Sequence, residues 1–225
     1  MPRIERKTHH AERQDHFPIL AHGDVRAGEA RVGGVTDSGQ VPVAELNEAT
    51  VATAAGLLRP ACASTRWIER MISGRPYRCV EALAAASDGV LATVGWPDIE
   101  HALAAHPRIG APRPDQSAPQ GQGAPQGQGA RPGGDAARRE AAWSRQEQSG
   151  TRHASPDVQA GLRAGNAVYE ERFGHVFLIC ATGMSAASML AALQARLGHD
   201  PATERAVVRD ELTKIVRLRL AKAFR

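Results

Sequence analysis

Three stretches in the last third of the chain carry their own start and stop signals, and they commit it to helices. Ser155-Pro156 offers an N-cap hydroxyl with proline at the first helical position, and Gly174 stands just beyond Arg172-Phe173. Ser185 to Leu197 reads as a second helix closed by Gly198, and Asp200-Pro201 opens a third that reaches about Phe224. Upstream, periodic apolar positions begin near Val43 and predict helical segments at about 47–58, 62–72, 76–87 and 95–105, punctuated by Pro60, Gly74-Arg75-Pro76 and Gly89. In the fourth segment Pro97, Ile99, Leu103 and Ala104 are expected on one apolar side. Val176–Ala181 is a continuous apolar run too short for a helix, and reads as a buried extended segment. Hydrophobic residues make up 42% of the 225 positions but aromatics only 4%, so the core is aliphatic and its Ala, Leu, Arg and Glu favour helix. The expected fold is all-α: a single compact domain of about eight helices over 44–225, with no convincing sheet.

Two segments stand outside that pattern. Residues 1–43 carry mixed charges and no sustained periodicity, the composition of a disordered or loosely attached arm. His9, His10, His16 and His22 within it read as a solvated tail rather than a metal cluster. Residues 111–134 contain Ala-Pro-Gln-Gly-Gln-Gly twice in tandem, and Gly and Pro at that density predict a flexible loop interrupting the domain.

Charge and cysteine usage narrow the function classes. The formal net charge of +4 is spread thinly, without the basic face and interleaved aromatics of a nucleic-acid binder, so the expected partner is a small anionic molecule. Cys62, Cys79 and Cys180 have unrelated spacings and no CxxC, which predicts reduced thiols in a cytoplasmic protein. No apolar run approaches a membrane span, Phe17–Ala21 is too short for a signal-peptide core, and the terminal Ala-Phe-Arg is no peroxisomal signal. No His/Cys/Asp/Glu cluster with ligand spacing falls in the folded region, so no metal site is expected.

Three constellations could carry chemistry. His106 follows a helical run and precedes Pro107, which biases it away from helical geometry. It is either a general acid or base projecting into a cleft, or a helix-end histidine favoured by the dipole. Ser144, Glu147 and Gln148 stand at i, i+3 and i+4 and share a helix face. That face is either ordinary polar surface or a grip for a ring rich in N–H and carbonyl groups. On the last helix Val208, Leu212 and Ile215 define a core-facing stripe that Arg219 continues, whereas Arg217 should face solvent. A buried arginine requires a carboxylate, of the protein or of a substrate. Asn166, Tyr169 and Phe173 share a face and read as core packing with a satisfied polar pair.

From about Leu46 onward the chain resembles the OHCU (2-oxo-4-hydroxy-4-carboxy-5-ureidoimidazoline) decarboxylases. The resemblance rests on Arg75-Pro76, His106-Pro107-Arg108-Ile109-Gly110, Ser144–Gln148, Asn166 with Tyr169 and Arg172-Phe173-Gly174, Phe177–Ala181, and Lys214-Ile215 leading to Leu218-Arg219-Leu220. It departs at the arm, the Gly/Pro/Gln insertion, and His175-Val176, where the family commonly has an aromatic residue and a proline. The resemblance implies an all-helical, cofactor-free homodimer that decarboxylates the ureidoimidazoline to (S)-allantoin at the end of urate (purine) degradation. By matching position it implies His106 as proton donor, Glu147 as its carboxylate neighbour and Arg219 as a catalytic anchor for the anionic substrate. It also implies a binding surface of Pro107, Ser144, Arg145, Gln146, Glu147 and Gln148 with the backbone of Phe177, Leu178, Ile179, Cys180 and Ala181. Two readings compete with it: a decarboxylase of a related ureido acid, and a helical binding or regulatory protein.

Overall fold

Side-chain caps decide where five of the helices begin. Thr50, Ser64, Ser155 and Ser185 each accept a hydrogen bond from the backbone N–H three residues on, and Asp200 accepts from both Ala202 and Thr203. The computed structural model describes residues 40–110, 134–151 and 154–225. Among these the elements are α1 (Val43–Glu48), α2 (Val51–Leu58), α3 (Thr65–Ser73), α4 (Val80–Thr93), α5 (Trp96–Leu103), α6 (Gly134–Glu147), a 3-10 turn (Ser149–Thr151), α7 (Pro156–Phe173), α8 (Ala186–Arg196) and α9 (Pro201–Ala223), with no strand. The fold is all-α, as expected. Among the described residues no helix is long and apolar enough to cross a membrane.

The last three helices fall where their punctuation places them, and Gly174 ends α7 at φ 77°, a left-handed turn that glycine enters without strain. The earlier boundaries differ. Gly89, expected as a stop, lies inside α4, which runs on to Thr93 because Leu91 beyond it is fully buried. α3 starts about three residues late, at the Ser64 cap, and α4 about four late, after Cys79. On α5 the buried positions are Ile99, Ala102 and Leu103, while Pro97 and Ala104 are exposed. His106 lies four residues beyond Ala102, so the stripe aims it inward.

Most of the tandem-repeat loop and the arm, residues 111–133 and 1–39, lie outside the described residues. The end of the arm is not loose. Gln40 Nε2 donates to the Ala221 carbonyl at 2.8 Å, Val41 N to Ala223 O at 2.8 Å, Val43 N to Arg225 O at 3.0 Å and Arg225 N to Val41 O at 3.0 Å. Contacts between residues about 180 positions apart leave no trace in local periodicity.

Two apolar clusters build the core. α1 to α5 and α9 enclose Trp67, Leu91, Ile99 and Leu212; α7 and α8 enclose Tyr169, Phe177, Met189 and Leu193. α7 approaches α8 closely because it presents glycines: a Cβ on Gly165 would sit 2.5 Å from Leu193 Cδ2. On α9 the apolar stripe is buried as predicted, Arg219 with it, whereas Arg217 is exposed and pairs with Asp88. Arg75 donates to the Leu46, Ala49 and Ile72 carbonyls, satisfying orphan acceptors where α1 and α3 end.

A buried ionic knot ties α7, α8 and α9 together. Glu204, with no exposure, receives Arg196 Nη2 at 2.5 Å and Nε at 2.9 Å, the Tyr169 hydroxyl, and His199 Nδ1 at 2.7 Å. Removing one partner of such a pair strands the other charge without water. Glu204→Ala should therefore cost about 3–5 kcal/mol of stability. Urea unfolding of the variant and parent measures this, and a loss under about 1 kcal/mol would contradict a dry, fully engaged Arg196.

Candidate active site

Four stretches far apart in sequence meet around one small cavity. The turn after α5 supplies His106, Pro107 and Ile109; α6 supplies Ser144, Glu147 and Gln148; the extended run supplies Phe177, Leu178, Ile179 and Ala181; Ile215 and Arg219 of α9 close it. Its volume is about 20 Å³, room for roughly one water.

His106 is 8% exposed, and its Nδ1 lies 3.0 Å from the Ala102 carbonyl. A carbonyl oxygen only accepts, so Nδ1 carries the hydrogen and Nε2 is left as the unprotonated nitrogen of the neutral ring. Nε2 is buried with no hydrogen-bond partner among the described residues. Burial, reinforced by the charge of Arg219, pushes the imidazole down to about 4 from its ordinary 6.5. At neutral pH the residue therefore offers a lone pair rather than a proton. Held neutral, the ring lacks the charge that the helix dipole would favour.

On α6 the buried face is Glu140, Ser144 and Glu147, in steps of four and three, while Arg145 and Gln146 are exposed. Those two do not line the cavity, since positions one and two residues from Ser144 turn away from it. Glu147 does not hydrogen-bond His106. Its Oε1 and Oε2 accept from Arg219 Nε at 3.2 Å and Nη2 at 2.9 Å, and Lys222 Nζ lies 3.5 Å away. Arg219 Nη2 also donates to Ser144 Oγ at 2.9 Å, so a protein carboxylate meets the buried arginine. Gln148 Nε2 donates to the Pro107 carbonyl at 3.3 Å, bridging the histidine turn and α6.

Glu140 escaped the sequence reading, although it stands four residues before Ser144 and shares its face. Its Oε1 lies 3.6 Å from Arg219 Nη1 without a hydrogen bond, and burial, against the pull of Arg219 and Arg59, raises its carboxyl above the usual range. Asn166 Nδ2 donates to the carbonyls of Ile109 at 2.9 Å and Leu162 at 2.8 Å, anchoring the histidine turn to α7. Of the extended run, Cys180 does not line the cavity: its N–H donates to Glu211 Oε2 at 2.7 Å. Among the described residues no group of three or more His, Cys, Asp or Glu could hold a metal ion.

Comparison with known proteins converges on one family. The family model for OHCU decarboxylase matches residues 47–221. The uric acid degradation bifunctional protein TTL of Arabidopsis thaliana is 32% identical over 166 residues, 72% of this chain and 45% of that protein. The 2-oxo-4-hydroxy-4-carboxy-5-ureidoimidazoline decarboxylase of Amia calva is 40% identical over 75 residues, 33% of this chain and 43% of that one. The chain thus spans less than half the length of these curated relatives. Among solved structures, an OHCU decarboxylase crystallised in the presence of (S)-allantoin aligns with TM-score 0.56 and 25% identity, covering 74% of this chain and 96% of that one. An (S)-allantoin synthase shares the fold, with TM-score 0.54, 18% identity and coverage of 81% and 54%.

The buried imidazole makes stability depend on pH. Below its ordinary value of 6.5 the unfolded chain binds a proton at His106 that the folded chain refuses until about pH 4. Its contribution is fully present above pH 6.5 and is lost as pH falls through that window, at most about 3 kcal/mol. Urea unfolding at pH 7 and pH 4.5 should show a smaller pH loss in His106→Asn than in the parent; equal losses would mean that His106 is not held neutral.

Proposed function

Because the chain belongs to the OHCU decarboxylase family, we propose that it converts 2-oxo-4-hydroxy-4-carboxy-5-ureidoimidazoline to (S)-allantoin and carbon dioxide, a step of urate degradation, without a cofactor. The observation that carries this reading is the cavity, which gathers His106, Ser144, Glu147 and Gln148 beside Phe177–Ala181.

The substrate holds its own electron sink. Its carboxylate sits beside a ring carbon double-bonded to nitrogen. When the carbon–carboxylate bond breaks, the electron pair moves into the ring, the C=N nitrogen takes up the charge and a proton from solvent, and carbon dioxide leaves. The remaining enol becomes allantoin by losing its hydroxyl proton and gaining one at the ureido-bearing carbon. His106 suits that exchange. Its bare Nε2 takes the hydroxyl proton, and the imidazolium then delivers a proton to carbon from one face only, which sets the S configuration. Arg219 gives the cavity wall positive potential toward the substrate carboxylate while fixing Glu147 and Ser144 as acceptors for ureido N–H groups. Gln148 contributes both a donor and an acceptor. Arg145 and Gln146, exposed on the far side of α6, have no part in it.

A cavity of about 20 Å³ is too small for the substrate, so entry requires the walls to part. The Gln148–Pro107 bond is a weak link across them, because it is exposed and long at 3.3 Å. From the family we also carry over a homodimer acting on this small molecule in the cytoplasm, with no nucleic acid or membrane as partner.

The direct test generates the substrate by oxidising urate with uricase and follows circular dichroism. Parent protein should speed the appearance of the (S)-allantoin signal; slow racemic product, the same with and without protein, would refute the reading. His106→Ala should lower turnover by on the order of 10² to 10⁴ in a folded protein. Arg145→Ala and Arg217→Ala should stay within about twofold of the parent, as exposed charges do, and a large loss in either would show that the cavity has been wrongly bounded.

A further inference from the structure

The Phe177–Ala181 wall belongs to no helix, and no strand pairs with it among the described residues. A buried backbone still needs hydrogen-bond partners. Two charged side chains supply them. Arg196 Nη1 donates to the Leu178 carbonyl at 2.7 Å, and the Cys180 N–H donates to Glu211 Oε2 at 2.7 Å. The Leu178 carbonyl is thus met from α8 and the Cys180 N–H from α9. Phe177, Leu178, Ile179 and Ala181, on either side of that amide, line the cavity.

Arg196 belongs to the ionic knot that holds the fold. Glu211 does not. Its Oε1 takes Lys214 Nζ at 2.6 Å on the exposed side, and its Oε2 reaches an amide 31 residues earlier in the chain. A glutamate paired with a lysine three residues on is ordinary helix surface; the charge-assisted bond to Cys180 is not explained by it. Glu211 itself does not line the cavity.

We propose that Glu211 is a positioning residue: by holding the Cys180 amide it fixes the pitch of Phe177–Ala181 and so the edge that this wall presents to substrate. The role rests on reading the cavity as the decarboxylase site. It calls for an acceptor at that spot rather than for a charge, which separates it from the Lys214 ion pair.

The test compares full-length parent with Glu211→Ala, Glu211→Asp, Glu211→Gln and Lys214→Ala. Steady-state kinetics and enantiomeric excess are measured on substrate generated from urate, and hydrogen exchange is followed by mass spectrometry over peptides spanning 175–183. Glu211→Ala should raise KM about tenfold, the scale of one lost charge-assisted hydrogen bond, with a smaller change in kcat and a lower excess of (S)-allantoin. The 177–181 amides should exchange at least about tenfold faster while α3 and α4 are unchanged. Glu211→Asp, withdrawn by one methylene, should behave like the alanine variant. Glu211→Gln, which keeps an acceptor, and Lys214→Ala, which leaves the Cys180 bond intact, should stay within about threefold of the parent. A folded Glu211→Ala with parental KM and enantioselectivity overturns the proposal, as does a glutamine variant as impaired as the alanine one. Inert parent protein would sink the decarboxylase reading alone. The exchange data would then decide the clamp by themselves, and equal protection in parent and Glu211→Ala would end it.

Discussion

A guanidinium with no solvent exposure cannot stand in an apolar core unless carboxylates come to it, and Arg219 imposes that condition on everything around the cavity. Glu147 takes two of its donors and Ser144 shares one, so α6 is registered against α9 by a forked pair whose geometry tolerates little rotation. The charge also reaches His106, adding to burial in keeping the ring neutral. Placing α6, fixing the orientation of its carboxylate and setting the protonation of the histidine are thus three effects of one buried cation.

On the proposed reading, that arrangement divides the chemistry between groups that hold and a group that moves. The carboxylate and hydroxyl are immobilised by the arginine, which lowers the reorganisation needed when charge shifts in a bound molecule. The imidazole is left with an unprotonated nitrogen that nothing satisfies among the described residues. An unsatisfied buried acceptor costs stability. Here it is aligned by the Ala102 carbonyl on its opposite side, which selects the tautomer.

The features legible in the sequence are those set by local chemistry. Ser155, Ser185 and Asp200 cap helices by hydrogen bonds to the residues next to them, and Gly174 closes one by its own backbone freedom. The α9 stripe could be stepped through to Arg219 because a helix repeats its face regularly. The spacing on α6 showed which residues share a side, but not that the side is buried, nor that Arg145 and Gln146 fall outside the cavity. Composition could not say that Glu147 would turn to Arg219 and not to His106, because that choice depends on a helix seventy-two residues away. Glu140 and Glu211 were missed for the same reason: each reads as ordinary helix surface until its distant partner is in place. Gly89 misled because a glycine weakens a helix without ending one when the packing beyond it is strong.

The backbone ladder between residues 41–43 and 223–225 has a mechanical side. Val41 and Phe224 form a parallel bridge, and three backbone bonds join residues 41 and 43 to residues 223 and 225. Because the two segments run the same way, pulling Gln40 in one direction and Arg225 in the other drags them past each other lengthwise. All three bonds then bear load together instead of breaking one after another. Tension applied along the chain would meet this ladder first, in shear, before any of it reached the helices that surround the cavity.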